Sequence, residues 1–134
     1  MTTENMWGKI PNVDKEETPV TVLKKQGNIL ANNTVGKLHG KVTFHQRPYH
    51  SSPGFQVDFD IIANELDKYT VTIITINYDI HQTSFEIFDH TDRNGNSVVV
   101  QDMEALKAEI RRILSAEAVA KIIQSLLLQI KSIA

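Results

Sequence analysis

The sequence predicts an α+β domain: an N-terminal helix, a sheet of about five mostly antiparallel strands, and two C-terminal helices packed on one sheet face. Three observations carry this expectation. A Thr18-Pro19 pair opens a stretch whose apolar residues recur at helical spacing. From Lys37 to Gln101 the pattern alternates, and its first two runs are too close together for a parallel crossover. From Asp102 onward the helical period returns.

Size and composition frame these elements. A chain of 134 residues suits one hydrophobic core, since two cores would each be marginal. The arrangement expected is a flexible arm over residues 1–17 and a single domain over 18–134. With 41% hydrophobic and 22% charged residues, the chain is too apolar for disorder. It has no cysteine, which excludes disulfides, thiol catalysis and Cys-ligated zinc. A net charge of −2 speaks against a protein built to grip phosphates. No apolar run is long enough to cross a bilayer and no secretion leader is visible, so a cytoplasmic domain away from membranes is expected.

Within the polar arm, Met6, Trp7 and Ile10 are exceptions. Docking on the domain's own core is the expected way to hide them, and an anchor for another protein is the alternative. Thr18 as N-cap and Pro19 at N1 start the first helix, with Glu16 and Glu17 near the positive end of its dipole. Val20, Leu23, Ile29 and Leu30 form its stripe, and Asn32, Asn33 and Gly36 end it. Gly27 interrupts the helix at a cost of ~1 kcal/mol relative to Ala.

In the first strand Leu38, Gly40, Val42 and Phe44 share one face, opposite Lys37, His39, Lys41, Thr43, His45 and Arg47. The segment 48–54 is a turn, and Phe55, Val57, Phe59 and Ile61 then alternate with Gln56, Asp58 and Asp60. A turn centred near Ser51 sets Lys41 opposite Asp60, Thr43 opposite Asp58 and His45 opposite Gln56. The first and last helices should cover the apolar face made by Val42, Phe44, Val57 and Phe59. The third strand, 69–78, changes apolar phase between Ile73 and Ile74. A central strand covered on both faces is the expected reason, with a bulge as the alternative. Strands follow over 84–89 and 97–101, joined by a loop with the turn signal Asn94-Gly95. Asp102 caps the next helix, and Ser115 reads as the cap of the last.

The most site-like feature is the polar face of the first hairpin, where His39, Lys41, His45, Asp58 and Asp60 are the binding candidates. Histidines and carboxylates on one surface are suited to metal ligation or proton transfer. Opposite charges facing across a ladder explain the same residues without chemistry, at roughly 0.2–1 kcal/mol per pair. The basic stripe also suggests nucleic acid, but Phe44, the aromatic needed for stacking, points away. His90-Thr-Asp92-Arg-Asn94-Gly95-Asn96 imitates a calcium loop, yet His90 and Gln101 stand where carboxylates belong. No HExxH, nucleophile elbow or phosphate loop occurs. No catalytic residue, metal or cofactor is therefore assigned.

The last helix carries Val119, Ile122, Ile123, Leu126, Leu127, Ile130 and Ile133, a broad stripe with Leu128 beside it. Trp7, Ile123, Leu127, Leu128 and Ile130 are the interface candidates. Residues 70–102 hold five acidic and one basic residue, against three acidic and five basic over 103–134, a polarity suited to pairing loops with helices.

Thr18, Pro19, Leu23, Gln26 and Thr34, then Leu66-Asp67-x-Tyr69, then Leu126-Leu127-x-Gln129, resemble the pattern of a family of uncharacterised bacterial proteins. The likeness spans about residues 18–130; Tyr78, Thr83 and Ser84 depart from the His and Tyr-Pro pair of that pattern. It implies a shared fold and no activity. The expected function is a non-enzymatic protein-interaction module that binds a protein partner or itself. The alternatives are a small metal- or acid/base-dependent enzyme using the hairpin face, and a weak nucleic-acid binder; a small-molecule ligand is left open.

Overall fold

Thr18 and Pro19 start helix α1 (Pro19–Asn33) as the sequence requires. The Thr18 hydroxyl accepts from the Thr21 N–H, and the Thr21 hydroxyl accepts from the Thr18 N–H, so two backbone donors are satisfied reciprocally. The structure, a computed structural model, describes residues 3–134. The other elements are β1 (His39–Gln46), β2 (Gly54–Ala63), β3 (Tyr69–Asp79), β4 (Phe85–Asp89), β5 (Ser97–Val100), α2 (Met103–Leu114) and α3 (Glu117–Ile133). The strands pair antiparallel in the order β1-β2-β3-β4-β5, and the helices lie against one face. This is an α+β fold.

Gly27 and Gly40 explain each other. The middle of α1 packs backbone to backbone on β1, and a Cβ on Gly27 would stand 3.1 Å from the Cα and O of Gly40. A Cβ on Gly40 would meet Phe59 ring carbons at 2.8 and 2.9 Å. The helical interruption at Gly27 is thus the condition for close helix–strand contact.

The first hairpin has the register expected, with Lys41 opposite Asp60, Thr43 opposite Asp58 and His45 opposite Gln56. Its turn is closed by paired backbone bonds between Tyr49 and Ser52, with His50 and Ser51 both at positive φ. That is the geometry whose twist matches the flanking strands.

The phase change in β3 is a bulge, which corrects the expectation of a strand covered on both faces. Phe59 pairs with Ile74 but Asp60 with Thr72, leaving Ile73 as the extra residue. Tyr69 and Val71 before it, and Ile74, Ile76 and Tyr78 after it, therefore reach the helix side. The opposite side carries Thr70, Thr72, Thr75 and Asn77 and is not covered.

Two further expectations are corrected. Ser115 is not the cap of α3: its hydroxyl donates to the Arg111 carbonyl at 2.6 Å, ending α2, and Ala116 precedes α3 without a side-chain cap. Phe44 does point to the apolar face, but it remains 50% exposed. It stands near the end of an edge strand, with a strand neighbour on one side only. A row of rings runs inward from it through Phe55, Tyr78 and Phe85, with centroids 5.0, 5.5 and 5.7 Å apart.

The core joins Leu23 of α1, Val57, Phe59 and Ile61 of β2, Ile74 and Ile76 of β3, and Phe85 and Ile87 of β4 to Leu106, Ile113, Val119 and Ile130 of the C-terminal helices. At its rim Asp79 is buried but fully engaged. It accepts from the Thr83 N–H and hydroxyl, both at 2.9 Å, and from the Ser84 N–H at 3.2 Å. Burial acts to raise its pKa, and these donors, led by the Thr83 hydroxyl, outweigh it and hold the carboxyl below its ordinary value.

Candidate functional site

The residues of the hairpin's polar face come together on the open side of the sheet around Asp58. His45, diagonal to it, brings Nε2 to 3.6 Å from Oδ2. Gln56 leans toward the same carboxylate at 3.4 Å while its own carbonyl accepts from Arg47 at 2.6 Å. From β3, the Thr75 hydroxyl donates to Asp58 Oδ1 at 2.7 Å. That hydroxyl has one hydrogen, so toward His90, whose Nε2 lies 2.7 Å away, it acts as acceptor. His90 Nε2 therefore carries a hydrogen, and an unbroken chain runs Arg47–Gln56–Asp58–Thr75–His90.

Thr75 and His90 were not among the sequence candidates. Thr75 reaches Asp58 in a register set beside the bulge, and His90 is brought back along β3 by its N–H donating to the Ile73 carbonyl at 2.9 Å. The bulge itself is the sequence signal that locates both.

The remaining candidates stand apart from this chain. Lys41 is exposed and does not close on Asp60, despite facing it in register. For a long side chain on an edge strand, the entropy lost in holding an exposed pair offsets the small Coulombic gain. Asp60 Oδ1 finds no hydrogen-bond partner among the described residues. His39 lies further along β1, paired with Ile62. At the hairpin's end a shallow depression of about 240 Å³ is lined by His45, Gln46, Arg47 and Gln56. Among the described residues no three metal-ligating side chains converge. Such an arrangement braces the open side of the sheet: its central carboxylate is already occupied by protein donors.

The calcium-like loop is a hairpin turn. Asp89 accepts from the Thr91 N–H and hydroxyl, and Asp92 accepts from the Asn94 N–H at 3.0 Å, so both carboxylates serve the local backbone.

The grooves lie on the helix side. One, about 290 Å³, separates α1 from α2 and is lined by Val22, Gln26, Lys107, Ile110 and Arg111 among others. At its rim Lys107 donates to Glu17 at 2.8 Å, tying the start of α1 to α2. That hydrogen bond lowers the Glu17 pKa and raises that of Lys107. Another, about 460 Å³, lies between the end of α1 and α3, with Val35, Leu127 and the cations Lys37 and Lys131.

The interface candidates separate by burial. Ile130 is only 1% exposed and belongs to the core, which removes it from any outer face. Ile123 and Leu127 are half-buried against that core. Leu128 is 57% exposed but isolated, flanked along the chain by half-buried Leu127 and polar Gln129. Trp7 is 83% exposed, with Met6, Ile10 and Val13 also in solvent. The expectation that the arm hides these side chains on its own domain is corrected: residues 3–17 form no helix or strand and lay none of these four against it.

No family model, curated protein or solved structure matches this chain. No single helix is long and apolar enough to cross a membrane, among the described residues.

Proposed function

We propose that this protein is a non-enzymatic interaction module of the cytoplasm that associates with copies of itself. One observation carries the reading: the large apolar side chains Met6, Trp7, Ile10 and Val13, gathered in one short segment, stay in solvent. Four such side chains within eight residues suit a docking segment, where one alone would be ordinary surface. The alternatives draw less support. The depression at the polar hairpin face is open and the Asp58 carboxylate beside it is engaged by Thr75, which gives the enzyme reading less to build on. The first strand's aromatic, Phe44, lies on the opposite side from the basic stripe, which leaves that stripe no stacking ring of its own.

The test is molecular mass by light scattering over a wide concentration series, read together with the emission of Trp7, the single tryptophan. The expected result is a mass that rises reversibly from one chain toward two. Emission that shifts to shorter wavelength in parallel would place the arm in the contact. A mass of one chain at every concentration overturns self-association.

A further inference from the structure

We propose that copies meet, apart from any contact made by the arm, through the free edge of β5, which pairs antiparallel with β5 of a second copy and joins the two five-stranded sheets into one. This rests on the self-association reading and specifies its surface.

The two edges of the sheet differ in the devices that keep edges apart. At one end β1 carries His39, Lys41 and His45, with Arg47 just beyond, and α1 packs closely against it. The cations among them, Lys41 above all, discourage strand addition. At the other end β5 reads Ser97-Val98-Val99-Val100, with no charge and no proline, and its register with β4 has no bulge. Val98 and Val99 are 41% and 49% exposed, one on each side of the sheet. Beyond them lies a row of backbone N–H and C=O groups with no strand to meet them, since β5 ends the strand order.

A second copy of this edge complements the first. Two antiparallel copies of one strand are related by a two-fold axis perpendicular to the sheet, so residues of equal parity oppose each other and both sets of helices stay on one side. On the helix side Val98 then meets Val98 or Val100 of the other copy. On the open side Val99 meets Val99 or Ser97. The flanking charges match as well. Arg93 lies before β5, while Asp102, whose Oδ1 caps α2, and the exposed Glu104, 3.6 Å from Lys107, lie after it. Antiparallel pairing sets Arg93 of each copy beside the Asp102–Glu104 end of the other, twice per dimer. Strands of four residues bury well under the ~1,200 Å² of a stable interface, so the dimer is weak and concentration-dependent.

The test compares the wild-type chain with Val99→Lys, which places two like charges at the centre of the contact, and with Leu128→Glu, which alters only α3. Dimerisation of the wild type, a Kd at least about tenfold higher in Val99→Lys, and no change in Leu128→Glu are the expected results. Amide exchange at Val98–Val100 that slows as the wild-type concentration rises gives an independent reading, and decides the matter if Val99→Lys fails to fold. A wild type that remains a monomer overturns self-association and the edge contact together. A dimer that Val99→Lys leaves intact, or whose β5 amides exchange at the same rate as mass doubles, overturns the edge contact and leaves self-association standing.

Discussion

At the scale of single residues the sharpest constraint is the pair Gly27 and Gly40. A helix former would improve α1 locally, yet the helix lies so near β1 that each side chain would be set against the other backbone. Gly40→Ala also drives a methyl group into the Phe59 ring, and overpacking of this kind costs about 3 kcal/mol. Gly27→Ala makes only tight contacts at 3.1 Å and recovers ~1 kcal/mol of helix propensity, so its net effect is much smaller. Urea denaturation checks the order: the midpoint of Gly40→Ala falls well below that of Gly27→Ala. Equal midpoints would contradict the backbone contact inferred here. From the sequence Gly27 is legible only as a cost, because its compensation is a residue thirteen positions away on another element.

Among the elements, the first hairpin was the most legible. A strict two-residue period on both arms and a short connector leave one register that keeps Val42, Phe44, Val57 and Phe59 on the same side. The turn itself carries strain, because Ser51 sits at φ 66° without being glycine. Ser51→Gly removes that strain and is expected to raise stability by about 0.5–1 kcal/mol, less than the full penalty because glycine loses more entropy on folding. Ser52→Gly lacks the positive φ and should lose stability, and thermal melts of the two variants separate these outcomes. The β3 bulge was less legible: a phase change at Ile73-Ile74 signals either an extra residue or burial on both sides, and only pairing with Asp60 and Thr72 decides. Ser115 shows a similar limit. A serine between two helical stretches serves equally as the end of one or the start of the next, and here its hydroxyl turns back to Arg111.

For the molecule as a whole, parity placed His45 beside Asp58, but the brace was incomplete without Thr75 and His90, whose positions depend on the bulge and on a backbone bond outside the strands. The arm was not legible, because composition shows that Trp7 needs cover and not where the cover is. Global stability against pH tests the packing on both flanks, since two shifted groups at one end of β3 act at opposite extremes. Asp79 has a depressed pKa, so its contribution is full above the ordinary carboxyl range and is lost as acid protonates the folded state. Tyr78 is pushed up to about 12 by burial among the rings. The unfolded phenol ionises at about 10, so its contribution is full below that value and disappears as pH climbs toward the folded pKa. Asp79→Asn should therefore flatten the acid limb of the stability profile and leave the alkaline limb alone, while Tyr78→Phe does the reverse between pH 10 and 12. Both variants keep most of the side-chain volume, so the slopes of denaturation free energy against pH isolate the titrating groups from packing. An alkaline limb as steep in Tyr78→Phe as in the wild type would mean that the phenol is reached by water, and that the aromatic row is open along its length rather than only at Phe44.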